Sequence, residues 1–462
     1  MIFTSTRGQG GRVPLRSLLT RGTAADSGLF MPEHWPEADL QRALALGTLP
    51  WAQLVAGLIA LFDDRPEAAP QTLAAVTRAY ARFASPDAPP VRMMTGQCHA
   101  LELFHGPTLA FKDYALMPLA ELISDEMRSS GGEATILCAT SGDTGAATAA
   151  AFAGRPATRA AILFPRGRVS PVQQRQITTT GAANIAPLRI EGDFDACQAL
   201  VKQLYASPEA QHDGFTAVNS INFVRILIQT AYYLSTTARL WTEKAEPVNF
   251  FVPTGNFGNV LAGHFARLLG APIGKMVVCS NENDVLPRLF ETGRMERQPT
   301  QATLSPSMDI QVSSNFERML YLIANGDCDR VNHLQRELED TGSYVLAAPE
   351  LMALRRDFVA FRVSREGALA AITEVWHRHR RVVCPHGATA WAAALALDLP
   401  GQSVVVETAH PAKFPEAFQS LGQIQPTEPE VLSALRGRAE RWINAPNDAA
   451  RLRALIASLP HG

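Results

Sequence analysis

Ala134-Thr-Ile-Leu-Cys-Ala-Thr140-Ser-Gly-Asp-Thr-Gly145 changes character at its midpoint. Its first six residues are a short apolar run that reads as a buried strand, Ala134–Ala139. The rest is a loop of small and hydroxyl residues, and the alanine-rich run through Ala153 reads as a helix. A strand feeding a helix through a tight loop is the repeating half of a parallel sheet covered by helices. The same alternation continues downstream. Ala160–Phe164 leads to a helix opened by Ser170-Pro171, Ile185–Ile190 to Phe194–Tyr205, Phe215–Val218 to Phe223–Trp241, and Val248–Val252 to Val260–Leu269. Upstream, His99–Phe104 and the Gly106-Pro107 turn precede a helix over about Phe111–Arg128. Lys275–Cys279, Val382–Pro385 and Ser403–Glu407 read as further strands, with helices over Arg365–His379 and Ala388–Leu397. The fold class is therefore α/β, doubly wound, with mostly parallel sheets.

Residues 1–90 fall outside this alternation and read as a mostly helical segment, with Gly28-Leu-Phe-Met-Pro32 as a turn and helices around Leu49–Phe62 and Pro70–Phe83. Asn325–Arg365 reads as a solvent-facing helical insert. At 462 residues and 47% apolar content the chain can fill two or three cores. No low-complexity linker separates the pieces, so the expectation is 1–90 as an N-terminal segment and 91–462 as two interleaved α/β domains, the smaller about 130–220.

With 42 basic and 44 acidic residues well mixed, there is no electrostatic footprint for nucleic acid or an anionic membrane. No apolar run approaches the ~18 residues that span a bilayer. Six scattered cysteines without a CxxC pair argue against a zinc site or a disulfide framework, so no metal is expected. A reduced, cytoplasmic setting is expected. Arg7, Arg12, Arg16 and Arg21, without an acid among the first 25 residues, carry the bias of a transit peptide but lack its periodicity, and the segment is read as a mature N-terminus.

Chemistry is expected where strands exit. In His105-Gly-Pro-Thr-Leu-Ala-Phe-Lys112-Asp113 a lysine sits at a strand–turn–helix corner among apolar residues. Desolvation there lowers an amine's pKa and frees it for Schiff-base chemistry; the same lysine also reads as a solvated one opening a helix. The loop with Ser141, Gly142, Asp143 and Thr144 can point backbone N–H groups at a carboxylate, or be a turn capped by Ser141 or Asp143. Pro253-Thr-Gly-Asn-Phe-Gly-Asn259 combines two glycines with a helix N-terminus, a cradle for a phosphate, and is neither a P-loop nor GxGxxG. Thr408 ends a strand on the same expected edge. A pyridoxal 5'-phosphate (PLP) enzyme needs an amine, a phosphate cradle, a partner for the pyridine nitrogen and an anion site for the substrate. Lys112, the 255–259 loop, Thr408 and the 141–144 loop supply all four.

At these residues the chain resembles the threonine synthases of yeast and many bacteria, within the fold type II (tryptophan synthase β-like) PLP enzymes. The resemblance also covers Ser5-Thr-Arg-Gly8, Gly28–Pro32, Gly167-Arg-Val-Ser-Pro171, Asn219-Ser-Ile-Asn222, Asn281-Glu-Asn-Asp284 and Thr408-Ala-His-Pro-Ala-Lys-Phe414. It implies that Lys112 is the Schiff-base lysine, that Gly255, Asn256, Phe257, Gly258 and Asn259 hold the cofactor phosphate, and that Thr408 faces the pyridine nitrogen. It further implies conversion of O-phospho-L-homoserine and water to L-threonine and phosphate by γ-elimination and β-addition. Asn259 departs from the acidic residue expected there, and Cys384-Pro-His-Gly-Ala-Thr389 from an expected Asp-Pro-His-Thr-like run; no catalytic role is assigned to the latter. Arginine's fork suits a leaving phosphate. Arg225 is the first expectation for that contact and Arg168, which equally reads as pairing with an acid, the second; Asn219 shares the segment. The alternatives are another fold type II lyase, such as a serine/threonine dehydratase or a phospho-amino-acid phospholyase, or a non-catalytic PLP-binding relative. The assembly is expected to be a monomer or homodimer.

Overall fold

The computed structural model describes residues 1–206 and 214–460. Two parallel sheets organise it. The larger has six strands in the order Phe358–Arg362, Ile273–Ser280, Val248–Pro253, Ser403–Glu407, Cys98–Glu102 and Val91–Thr95, parallel except for the last pair. The smaller has five parallel strands in the order Ile443–Ala445, Ile185–Ile190, Thr158–Pro165, Ala134–Ala139 and Phe215–Thr216. The inner strands of both sheets are almost wholly buried and rich in Val, Ile, Leu and Phe, because helices cover both faces, whereas the edge strands Val91–Thr95, Phe358–Arg362 and Ile443–Ala445 are partly exposed. Helices Phe223–Leu240 and Gly258–Leu268 pack together in the main core with Tyr232, Tyr233, Phe250 and Phe265 between them. Among the described residues no helix is long and apolar enough to cross a membrane.

Four expectations are corrected. The segment 1–90 is not mainly helical at its start: Ile2–Ser5 pairs antiparallel with Val13–Pro14 and with Phe30–Pro32, so Phe30-Met-Pro32 is a strand and only the residues before it turn. Asp26 makes that turn, its Oδ1 accepting from Ser5 Oγ at 2.7 Å and Gly28 N at 3.0 Å. Val382–Cys384 is extended loop, because Pro385 opens the helix Pro385–Ala396 and the residue before a proline is held out of the helical region. Within Asn325–Arg365, helices Cys328–Thr341 and Ala348–Asp357 do form, but Phe358–Arg362 is the edge strand of the larger sheet. The smaller layer also extends beyond 130–220: Ile443–Ala445 joins its sheet, and Leu452 and Ile456 of helix Ala449–Ala457 bury against it.

Candidate active site

Three central strands of the larger sheet end side by side. Cys98–Glu102 pairs with Ser403–Glu407 so that Glu102 lies opposite Glu407, and Ser403–Glu407 pairs with Val248–Pro253. Their following loops, 103–112, 408–413 and 254–257, therefore leave from one edge, the edge at which ligands collect in such sheets. The first two loops are zipped together: Phe111 N donates to Thr408 O at 2.8 Å, His410 N to Leu109 O at 3.0 Å, and Ala110 bridges Ala409. Asp113 staples the turn by accepting from Thr108 N at 2.8 Å and Thr108 Oγ1 at 2.6 Å. A Cβ on Gly106 would lie 2.5 Å from the Asp113 carboxylate, which is why glycine stands there. Lys112 is thus presented at the start of helix Asp113–Ser130 beside the Thr408 loop.

The Lys112 amine sits in a buried charge cluster. Its Nζ donates to Asp143 Oδ2 at 3.3 Å. The fully buried Lys413 donates to Asp143 Oδ1 at 2.8 Å and to Thr108 O at 2.6 Å, and Gln173 Nε2 donates to Asp143 Oδ1 at 2.8 Å. Burial lowers the Lys112 proton affinity, Asp143 opposes this, and Lys413 and Arg225 add to it; the outcome lies below an ordinary lysine. The Asp143 carboxylate thus serves two lysines, which leaves its backbone N–H as the group that could face a carboxylate. The turn's cap differs from the one expected, since Thr140 Oγ1 accepts from Gly142 N at 2.9 Å and Gly145 N at 2.8 Å. The N–H groups of Asp143 and Thr144 open helix Asp143–Phe152 without intrahelical partners, with Ser141 and Thr144 partly exposed beside them. Gly142 has φ 152°, and a Cβ there would meet Gln173 Oε1 at 2.3 Å.

On the other side, Phe257 takes the left-handed conformation at φ 60° and caps helix Gly258–Leu268. Residues 313–315 buttress this loop: Ser313 Oγ donates to Gly255 O at 2.8 Å, and Asn315 N and Nδ2 donate to Asn256 O at 3.2 and 3.0 Å. Arg318, fully buried, anchors the buttress through Asn315 Oδ1 at 2.5 Å, Ile221 O at 2.7 Å and Phe30 O at 3.0 Å. A Cβ on Gly255 would meet backbone, Met308 Cα and Ser307 O both at 3.1 Å, whereas one on Gly258 would meet the Asn315 side chain at 3.3 Å and backbone no nearer than Ser220 O at 3.7 Å, an ordinary contact. Close approach of the main chain is therefore required at Gly255 more than at Gly258. Asn259 Oδ1 accepts from Tyr232 at 2.5 Å and Tyr233 at 2.7 Å, while its Nδ2 is buried without a partner.

These features fit PLP. Gly255 to Asn259 offer a phosphate a glycine cradle, a helix N-terminus and an orphaned buried N–H donor. Lys112 offers a depressed amine, and the Thr408 hydroxyl stands at the adjoining strand end.

The arginines separate. Arg225 is buried with Nη1 donating to Val218 O at 2.7 Å and Nε orphaned; burial brings it down to about 10, and no carboxylate pairs with it among the described residues. Arg168 is exposed and forms no ion pair among the described residues; its neighbour Arg166 pairs with Glu191 at 2.5 Å. Asn219 is exposed and shapes a turn by accepting from Ile221 N, whereas the buried Asn222 caps helix Phe223–Leu240. The sequence assigns no role to Lys413, which lies in the Thr408–Phe414 run, and does not point to Gln173, Asn315, Arg318 or His386. The His386 ring is buried 4.7 Å from Phe414; burial first, with Lys112 and Lys413 adding and Asp143 opposing, brings it down to about 4, so it is neutral. Its Pro385-His386-Gly387 context carried a signal, but a lone histidine in an apolar helix does not announce which cluster it joins.

The pyridoxal-phosphate dependent enzyme family matches residues 100–408, the threonine synthase N-terminal family residues 2–80 and the threonine synthase C-terminal family residues 387–456. A threonine synthase of Pseudomonas aeruginosa is 36% identical over 100% of this chain and 99% of its own, and that of Escherichia coli 34% over 96% of each. Among solved structures, the PLP-bound threonine synthase of Brucella melitensis superposes with TM-score 0.94 at 37% identity, covering 99% of this chain and 98% of its own. The yeast threonine synthase does so with TM-score 0.92 at 33% identity, with the same coverage. A chain so matched from its first strand to its last helix, with Lys112, the 254–257 loop and Thr408 leaving one sheet edge, belongs to the threonine synthase family of PLP-dependent enzymes.

Proposed function

We propose that this chain converts O-phospho-L-homoserine and water to L-threonine and phosphate. The observation that carries the reading is the number of anion-compatible positions around one depressed amine. The helix openings at Asp143 and at Gly258 are two, and the buried, unpaired Arg225, whose charge Lys112 senses, is the third. A PLP phosphate, a substrate carboxylate and a substrate phosphate are three anions to be held; an amino acid without a phosphate would leave Arg225 buried and unmatched.

When bound, PLP supplies the electron sink that makes the substrate's α-proton acidic. Lys112 Nζ would accept that proton, and its lowered proton affinity keeps a larger share of it neutral and ready to do so. A second proton leaves the β-carbon as the γ-carbon–oxygen bond to phosphate breaks; the γ-carbon then takes up a proton, water adds its hydroxyl at the β-carbon, and the remaining two protons go to the α-carbon and to the released phosphate. Arg225 steadies the phosphate, and the N–H groups of Asp143 and Thr144, with Ser141 and Thr144 beside them, orient the carboxylate. Thr408, at the adjoining strand end, would hold the ring nitrogen through its one hydroxyl. Arg168, exposed, is at most an outer contact in this reading.

We also infer a cytoplasmic protein, monomeric or homodimeric, with no nucleic-acid or membrane partner, divided into 1–90 and a two-domain remainder. Balanced charge and six free cysteines support that setting. The test is to measure threonine and phosphate together from phosphohomoserine. Equal yields are expected, and Lys112→Ala abolishes both. Phosphate with a 2-oxo acid in place of threonine would move the chain to the phospholyases, and deamination of serine or threonine to the dehydratases.

A further inference from the structure

We propose that Asp143 and Lys413 are positioning residues for Lys112: one carboxylate of the smaller layer is shared by two lysines of the larger, so that the charge on Lys112 and contact between the layers depend on each other. Asp143 follows Ala134–Ala139 of the smaller sheet, and Gln173, from the helix Pro171–Thr178 of the same layer, orients it. Lys112 and Lys413 follow Cys98–Glu102 and Ser403–Glu407 of the larger sheet. The two contacts are unequal. Lys413 is fully buried and held at 2.8 Å with a second anchor on Thr108 O, whereas Lys112 is held at 3.3 Å and keeps 11% of its side chain exposed. Lys413 is thus the permanent partner that keeps Asp143 ionised and in place, and Lys112 is the partner that can leave.

The other charged or titratable groups facing this cluster do not replace Asp143. Arg225 adds positive charge, His386 is neutral, and Asp113 is occupied by both Thr108 donors. Asp143 therefore favours the protonated Lys112 and Lys413 disfavours it, and their removal acts with opposite sign. A scaffold role would not predict that opposition. The inference rests on Lys112 being the reactive amine of the proposed function, but its test does not.

The test uses the cofactor-free full chain, reading the pH dependence of Lys112 acetylation by acetic anhydride with peptide mass spectrometry. Asp143→Asn is expected to lower the midpoint by about one pH unit, raising labelling roughly tenfold at a fixed pH below it, and Lys413→Met to raise the midpoint by a similar amount. The pair combined returns it towards the original. Asp143→Glu and Lys413→Arg preserve charge and leave the midpoint within about half a unit, so the expectation stays testable even if a charge-removing variant folds poorly. Midpoints that move in the same direction, or that move equally in the charge-preserving variants, overturn the proposal. A chain that made no threonine yet showed these opposed shifts would overturn the function and leave this inference standing.

Discussion

The phosphate loop offers a sharp comparison, because Gly255 and Gly258 look equivalent in the sequence and are not equivalent in space. An alanine at 255 places its Cβ 3.1 Å from Met308 Cα and 3.1 Å from Ser307 O, both backbone atoms of the turn Pro306–Met308. Neither can rotate away, so the loop or the turn must shift by a few tenths of an ångström, an overpacking cost of about 1–3 kcal/mol. Part of that cost would fall on cofactor binding, because the shifted peptide belongs to the loop proposed to hold the phosphate. An alanine at 258 meets the Asn315 amide at 3.3 Å, a side chain that can give, and Ser220 O at an ordinary 3.7 Å. Gly258 opens a helix in ordinary helical geometry, where alanine gains up to about 1 kcal/mol over glycine, so its net effect is within about 1 kcal/mol of zero. Equilibrium dialysis against PLP should therefore show a roughly 5- to 100-fold weaker Kd for Gly255→Ala and less than about 5-fold for Gly258→Ala. If Gly258→Ala is the more damaging of the two, close approach to the phosphate occurs at 258 and the loop geometry described above is wrong.

Three further outcomes are expected. Thr408→Val keeps the side chain's shape at the strand end and should lower kcat by about 1–2 kcal/mol in barrier while leaving PLP occupancy unchanged in absorbance titrations, as for a contact used mainly as charge develops. Arg225→Met removes a buried guanidinium whose proton affinity is already depressed to about 10. It should raise the Tm of the cofactor-free protein while lowering kcat/KM for phosphohomoserine by roughly 2–4 kcal/mol, and a fall in both would assign Arg225 to the scaffold. Glu102 is buried, which raises its proton affinity, but His105, Arg381 and Arg92 outweigh burial and bring it down to about 2. Because its folded value lies below the unfolded one, its stabilisation is present above about pH 4.5 and is lost as pH falls towards 2. Urea titrations should show Glu102→Gln less stable than the parent at pH 7, with the difference narrowing below pH 4.

Most of the parallel α/β framework was legible from the chain, and the reason is local. Ala134–Ala139, Ile185–Ile190, Ser403–Glu407 and the helix Arg365–His379 lie where apolar runs, caps and prolines put them, because a doubly covered strand is a continuous apolar run of four to eight residues bounded by turn signals. Errors came where that signal is ambiguous. Val382–Cys384 is apolar because it is buried, not because it pairs, and Phe30-Met-Pro32 pairs with a strand 25 residues away that composition does not reveal. The edge strand Phe358–Arg362 carries an apolar run, Phe358-Val-Ala-Phe361, but it is half exposed and follows helix Ala348–Asp357 directly, so no turn signal marks its start.

By itself the sequence determined that strands and helices alternate, that a lysine sits at a strand–turn–helix corner, and that two small-residue loops open helices, since each depends only on residues within a turn or two of one another. Which groups share the lysine's surroundings was decided by the tertiary structure. Asp143 meets Lys112 across 31 positions of chain, Lys413 meets Thr108 across 305, and Asn315 props a loop 59 positions upstream. Those meetings convert a loop acid into the counter-ion of two amines and set Gly255, packed against the 306–308 turn, apart from Gly258. They follow from the register of parallel strands and the packing of one sheet layer on another. Register and layer packing are global solutions to burying apolar surface, and a charged side chain is carried to its partner by that solution without leaving a pattern in its own neighbourhood.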